Sequence, residues 1–463
     1  MLDRAMLVAA TFMALLLGPV LTMQARGIVN SSSVPHPQQA HQPCTNHYID
    51  ANNPHADDSG PGTRKRPWKS LNVFPSQHLC PGETIYFARG SHYVGGIPIA
   101  DSGTAQRPIT FTAYGSGPAP QFTNPDPNLL NGNVVQIHGS YVVVDHLYFH
   151  DGANSRSNAD KDVLQMGDVF IAKGADHATI QYSEWKNSTI GIHTCGRFTL
   201  ITHNYLHDSH RFIAMKKWGP IAIMISNSNE VASYNHITDF IVIGGTYGAD
   251  GGAFEFDPRI YGDSIHDVQL DHNNSARNEG FLESTRAPFP THTVSIVDNV
   301  SDDYQAFLML WQGHDFTILN NTVIRVLPKN SVTDVVFTFG EPGNIIRNNI
   351  FVVHAGVQVF SDNGTQVWGI GAHYASQIRD HNLYFSEDKS ETDPIGLPPG
   401  PHEIVADPMF INFATRDLRL RPDSPTIHAG APTSDSSPAI SARIQSTSAP
   451  DLGAFRSTPA MPK

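Results

Sequence analysis

Charge is scarce in this chain: Asp, Glu, Lys and Arg make up only 16% of its 463 residues. The long runs of Ala, Glu, Lys and Leu that build helical bundles are absent, which argues against an all-helical fold. Basic residues number 30 against 43 acidic ones, a net charge of −13. A protein that binds nucleic acid nonspecifically needs Lys and Arg to neutralise phosphates, so that class is not expected. A polyanionic substrate remains compatible, because a local basic patch or a bound cation inverts the field. There are only three cysteines, with no metal-ligand spacing. Cys44 and Cys80 flank the first structured segment and could pair, leaving Cys195 as a buried thiol. No glycine-rich phosphate loop lies between a strand and a helix, and no G-x-S-x-G elbow occurs, so nucleotide-cofactor chemistry is unsupported.

Long hydrophobic runs are missing too, with one exception. Arg4 precedes "AMLVAATFMALLLGPVLTM", which leads to the small residue Ala25. That pattern predicts an export signal over residues 1–25, with a retained membrane anchor as the alternative. A polar linker follows over 26–43, and a Ser/Pro/Ala-rich tail occupies 432–463 around a final "DLGAF". Between them, residues 44–431 read as one β-rich domain, and the expected location is secreted, extracellular or periplasmic.

What is abundant is a repeat. Apolar-polar-apolar segments recur around a marker asparagine: "TLITHNYLHDS", "EVASYNHITDF", "DVQLDHNNSARNEG", "TVSIVDNVSDD", "FTILNNTVIRV" and "NIIRNNIFVVH". The markers are Asn204, Asn235, Asn273, Asn299, Asn321 and Asn349. Each unit reads as an alternating strand, a turn, a second strand such as "GFLES" or "AFLML", and a variable loop. A unit this short cannot bury its own apolar face, so units must stack. Asparagine at a fixed turn suits stacking, since it tolerates the left-handed conformation and its amide can bond to the next coil. The expected fold is all-β, a single-stranded parallel β-helix, and the crossover rule makes it right-handed.

The segments "NHYIDANNPHADDSGPGTRKRPWKSLN" and "CPGETIYFARGSHYVGGIPIADSGTAQRPITFTAYG" resemble the N-terminal part of secreted β-helix carbohydrate-active proteins. "DPMFINFATRDLRLRPDSPTIHAGAP" with "DLGAF" resembles their C-terminal part. "DGGAFEFD…NEGF" is similar to the central coils of β-xylosidase-type β-helix glycoside hydrolases, and more distantly to pectate-lyase-like proteins. Together these stretches cover most of residues 44–455. The resemblance implies a right-handed β-helix and a polysaccharide or oligosaccharide partner, with no nucleic acid and no membrane beyond the signal peptide.

It also implies roles. Asp257, ending the apolar strand "FEFD", matches the nucleophile, and Glu279 in "RNEG" matches the acid/base of a retaining glycosidase. Their separation of 22 equals the shortest marker spacing, so adjacent coils could bring them together at the 5–5.5 Å that retention requires. Glu255 and Glu283 compete for these roles, and Glu255 shares the face of Asp257 because strand side chains alternate. Asp250 joins them as a supporting acid.

The alternative reading is a Ca²⁺-dependent lyase, with Asp250, Glu255 and Asp257 holding the cation and Lys216, Lys217, Arg277 or Arg286 abstracting a proton. Under the hydrolase reading no cofactor is needed. A third reading is a non-catalytic glycan-binding protein. Trp218, Lys217, His210, Arg277 and Trp311 are the expected substrate-binding residues, with the two tryptophans as stacking platforms. His193, His203, His207 and His210 could reach one groove, but their spacing lies on a strand and turn, and zinc is not expected.

Overall fold

The marker asparagines form one continuous hydrogen-bonded column. In a computed structural model the described residues are 44–152, 165–212, 219–245, 249–260, 263–285, 288–327, 335–338, 342–360, 377–388, 393–432 and 449–455. The Asn204 side-chain amide donates to Asn235 Oδ1 at 3.1 Å, Asn235 to Asn273 at 3.0 Å, and Asn273 to Asn299 at 3.0 Å. Asn299 continues to Asn321 and Asn321 to Asn349, each at 3.0 Å. Asn349 reaches Asn382, whose amide ends the column on Glu403 at 3.0 Å. Each amide also donates to a backbone carbonyl of the preceding coil, as Asn299 does to Leu270 at 2.9 Å. Each Oδ1 additionally accepts the preceding marker's backbone N–H, so buried donors and acceptors are matched.

The left-handed residue of this turn is not the asparagine but the one before it. His203, Tyr234, His272, Asp298, Asn320, Asn348 and His381 all have φ between 52° and 59°. The conformation turns the chain so that the following amide points inward, and where the left-handed residue carries a ring those rings stack outside. His146, Tyr182, His203, Tyr234 and His272 form a ring column with centroid separations of 5.3, 4.8, 5.0 and 4.6 Å. Much of the chain's histidine therefore serves surface stacking.

The marker turn separates two strands, so each full coil carries three strands rather than the two read from sequence. One coil runs Ile265–Asp271, Asn274–Ala276 and Gly280–Ser284, and the next begins with Thr291–Val297. Stacking makes three all-parallel sheets of 12, 9 and 12 strands, a right-handed parallel β-helix. Inward positions fill one continuous core, including the stack Phe254–Phe281–Phe307 at 5.2 and 5.0 Å. Each such fully buried ring contributes about 1.5–3 kcal/mol.

The first coil is closed by the short helix Leu71–Ser76, which buries Leu71, Val73 and Phe74 beside Trp68. Cys44 and Cys80 are disulfide-bonded, and Cys195 is a buried thiol. At the other end the hairpin Phe410–Asn412 with Asp417–Leu420 covers Ile324, Ile350, Val352 and Leu383 in a second apolar cluster. No helix among the described residues is long and apolar enough to cross a membrane. The expected signal and linker, residues 1–43, lie outside the described residues.

Two predictions follow from these buried polar groups. Replacing Asn299 by Ala strands carbonyl and amide partners on both neighbouring coils, and should lower unfolding free energy by about 2–4 kcal/mol in denaturant titrations. Glu230 is buried, and among the described residues neither carboxyl oxygen has a hydrogen-bond partner of good geometry; the nearby Thr199 and Thr194 only partly relieve the cost. Burial pushes its carboxyl well above the usual range. The folded state thus holds the proton more tightly than the unfolded one. That contribution is complete below the ordinary glutamate value and is lost as pH rises through the folded value. Glu230→Gln should therefore melt higher than wild type at neutral and alkaline pH, with the gap closing towards about pH 4.

Candidate functional site

On the outer face of the nine-stranded sheet, register aligns one row of side chains along the helix axis: Phe170, His193, Met224, Glu255, Glu283, Met309 and Phe337. Glu255 on Gly252–Phe256 and Glu283 on Gly280–Ser284 are direct partners. Neighbouring strands lie about 4.8 Å apart, so two carboxylates leave adjacent coils in the same direction. Glu255 is 9% exposed, whereas Glu283 is exposed.

A second row begins where those strands end: Ser226, Asp257, Thr285 and Trp311, each following an aligned residue. Asp257 is buried at 1% exposure and tightly held. Arg259 donates to it from Nε at 2.8 Å, from Nη2 at 2.6 Å and from its backbone N–H at 3.0 Å. Thr285 Oγ1 adds a bond at 3.3 Å. The guanidinium itself is half exposed and lies in the field of Glu255 and Glu283, and its bond to Asp257 raises its affinity for its proton. Trp311 bonds through its backbone to Ser284 Oγ at 2.8 Å and sets its ring 6.1 Å from that of Phe337.

The structure does not bring Asp257 and Glu279 together. Gly280 pairs with Gly252, and Glu279 precedes it, while Asp257 lies five residues beyond Gly252. At about 3.3 Å per residue the two positions are more than about 16 Å apart along the strands. The register offset between these coils is 28, so a separation of 22 does not amount to one coil.

Glu279 sits at the other edge of the sheet. Its backbone N–H bonds to Phe240 O at 3.2 Å, next to Ile241, whose carbonyl is bonded by His210 Nδ1 at 2.6 Å. Arg277 is on that edge as well, bidentate to Asp239 at 2.8 and 2.5 Å. Asp250 pairs there by backbone with Val242. Of the expected residues, Glu255, Asp257, Glu283 and Trp311 gather at one edge, and His210, Asp250, Arg277 and Glu279 lie at the opposite edge. Lys216, Lys217, Trp218 and Arg286 lie outside the described residues.

The four histidines do not share a groove. His203 belongs to the ring column, and His207 bonds Glu184 and Asp208 at 3.0 Å each. His193 is fully buried under the sheet's outer face, with Nδ1 2.8 Å from Met166 O and Nε2 3.0 Å from Ser226 Oγ. Burial pushes its imidazole down to about 4, so it is neutral. Its Nδ1–H donates to the carbonyl, and Nε2 accepts from Ser226.

Among the described residues no three His, Cys, Asp or Glu side chains converge as a metal site. The calcium set Asp250, Glu255 and Asp257 does not fit either. Both Asp257 oxygens are engaged by Arg259, which puts a cation where the metal would bind, and Asp250 is on the far edge.

Sequence reasoning missed Arg259, Thr285 and Ser226. A signal for Arg259 existed in "FDPR": Pro258 starts the short helix Pro258–Ile260, which folds the arginine back onto the aspartate two residues earlier.

No protein-family model matches the chain, and no curated protein matches it. Solved structures do. Pectate lyase Pel9A is 16% identical, with a TM-score of 0.52, over 89% of this chain and 96% of that one. A rhamnogalacturonan lyase is 14% identical, with a TM-score of 0.54, over 86% and 98%. XylC in complex with xylose is 11% identical, with a TM-score of 0.49, over 78% and 86%. At these identities the likeness is one of fold.

The Arg259–Asp257 pair generates a prediction. Arg259→Met leaves a buried carboxylate without its cation and should cost about 1–3 kcal/mol, with the exposed half of the arginine keeping the loss below that of a fully buried pair. Adding Asp257→Asn should restore most of the loss in a double-mutant cycle read by denaturant unfolding.

Proposed function

We propose that this chain is a carbohydrate-active enzyme that hydrolyses glycosidic bonds with retention, using Glu283 as nucleophile and Glu255 as general acid/base. The observation that carries the proposal is the register pairing of these two glutamates on adjacent coils. Ladder spacing of about 4.8 Å approximates the 5–5.5 Å of retaining enzymes and falls short of the 6.5–9.5 Å that inversion needs. Two carboxylates this close share a proton readily. Glu255, the buried member, is the better place for it, and exposed Glu283 is the better nucleophile.

In the first step Glu283 attacks the anomeric carbon while Glu255 donates its proton to the departing glycosidic oxygen. A covalent glycosyl-enzyme and a free alcohol result. In the second step Glu255 takes a proton from water, whose oxygen attacks the anomeric carbon and releases Glu283. Arg259, fixed by Asp257, offsets the local excess of negative charge. Fold likeness to lyases alone does not choose a reaction.

Aryl glycosides and oligosaccharides test the assignment. Glu283→Ala should lose all substrates by about 10³-fold or more, and added azide should restore turnover as a glycosyl azide. Glu255→Gln should lose about 10²–10⁴-fold on poor leaving groups and much less on activated aryl glycosides. Glu279→Gln should stay within a few-fold of wild type. Full activity in both Glu255 and Glu283 variants would sink the proposal. Products absorbing in the ultraviolet, the mark of β-elimination, would replace it with the lyase reading.

A further inference from the structure

The twelve-stranded sheet that follows the marker turn presents an outward row that stays open over many coils. Register aligns Gln121, Tyr148, Glu184, Tyr205, His236 and Asn274 along the axis. All six are partly or fully exposed. Five ladder steps make this row about 24 Å long. The row through Glu255 and Glu283 on the nine-stranded sheet is, by contrast, buried at Met224 and again at Phe337.

Two of these coils repeat one pattern, "YFHD" at 148–151 and "YLHD" at 205–208. Tyrosine and histidine two apart on a strand leave it on the same, outward side. Each aspartate is left-handed, with φ of 53° and 52°, and its carboxylate accepts from Nδ1 of the histidine before it. Those bonds measure 2.8 Å at His150 and 3.0 Å at His207. His207 Nε2 also lies 3.0 Å from Glu184 Oε1, so both ring nitrogens donate to carboxylates. Burial opposes a charge there, but the two bonds outweigh it and raise the affinity of His207 for its second proton. Tyr205 stacks on this imidazolium at 4.2 Å and 10°, yet stays 39% exposed. A cation against one face fixes the ring and leaves the rest of it open. Tyr148 lies 5.2 Å from the ring of His150 in the same relation.

The geometry points to this face as a second binding site, for an extended, uncharged polysaccharide chain lying along the axis with sugar rings on Tyr148 and Tyr205. A sugar offers an apolar C–H face to an aromatic ring and hydroxyls to polar side chains. The two tyrosines stand two ladder steps apart, about 10 Å, roughly the span of two sugar rings in an extended chain. Glu184 lies between them, and Gln121, His236 and Asn274 continue the row with donors and acceptors for hydroxyls. Charge selects the class of polymer. Glu184 and Asp208 share His207, Lys186 adds a second cation to Asp208 at 3.4 Å, and Asp151 is faced by His150 and Arg211. Acids and bases beside the row thus balance, leaving no net field to recruit a polyanion. Binding here needs no turnover, so the inference stands apart from the hydrolase reading.

Affinity electrophoresis of the full chain carrying Glu283→Ala, in gels containing a β-glucan, a xylan, a mannan or polygalacturonate, reads binding without cutting the polymer. At least one neutral polymer should retard the protein, and polygalacturonate should not. On that polymer Tyr148→Ala and Tyr205→Ala should each raise Kd about 3- to 10-fold, with melting temperature unchanged. Tyr205→Phe keeps the ring and should bind as its parent does. Free migration in all the neutral gels would overturn the proposal. Retardation that survives both alanine substitutions, or that is at least as strong in polygalacturonate, would overturn it equally.

Discussion

The column of asparagine amides is the interaction on which the rest depends. Coils in this chain differ widely in length, with marker spacings from 22 to 38 residues. Excess length is pushed outward because each coil must return its asparagine to the same place, one strand spacing further along. The amide does this by bonding forward to the next marker and backward to a carbonyl of the previous coil. The left-handed residue before it carries the conformational cost, about 1–3 kcal/mol for a residue with a side chain. Ring stacking outside and amide bonding inside offset that cost at the same turn. The column thus fixes a common register for three sheets at once.

A fixed register makes functional geometry a matter of which outward positions share a row. Glu255 and Glu283 share one, at the spacing of a strand ladder. Like charges opposed across a ladder are destabilising, so their pairing needs compensation. Arg259 supplies it, anchored by three bonds to a buried aspartate. The anchoring matters as much as the charge: Nε and Nη2 both donate to Asp257, which fixes the plane of the guanidinium beside the two glutamates. Crowded acids on a rigid ladder, with a tethered cation beside them, resemble a preorganised site more than a surface accident.

The stacked architecture was legible in the sequence because its cause is local. The markers Asn204 to Asn349 and the alternating strands beside them announce a repeat whose units cannot fold alone. The marker turn was misread in two respects that periodicity does not encode: the residue before the asparagine is the left-handed one, and the turn separates strands of two sheets. At the site, the acids themselves were legible, but their pairing was not. Sequence spacing measures strand plus loop, whereas adjacency depends on register alone. Between Asp257 and Glu279 the count of 22 coincided with a coil length found elsewhere, yet this coil repeats at 28. Arg259 escaped notice because its role arises from a turn that only the folded backbone completes.

The division of labour between ladder and loops explains how one scaffold can vary its chemistry. The ladder offers only multiples of about 4.8 Å between outward groups on successive coils. Acids on adjacent coils meet the geometry of a covalent glycosyl intermediate. Acids two coils apart would stand about 10 Å from each other and could accommodate only a mechanism with an intervening water. Choice of mechanism is therefore nearly discrete on such a scaffold and is set by which coils bear the acids. Access, by contrast, is continuous: covering more or fewer coils changes how much of a row substrate can reach without disturbing the row itself. In this chain the same row passes from fully buried Met224 to buried Glu255 to exposed Glu283 within two coils. That gradient places the glutamate pair at the boundary between sealed and open sheet, where one carboxyl is shielded and its neighbour is exposed. Two chemically identical residues are thus given different surroundings by position along the axis, not by any difference in the residues themselves, and such a difference in surroundings is what separates the roles of paired carboxylates.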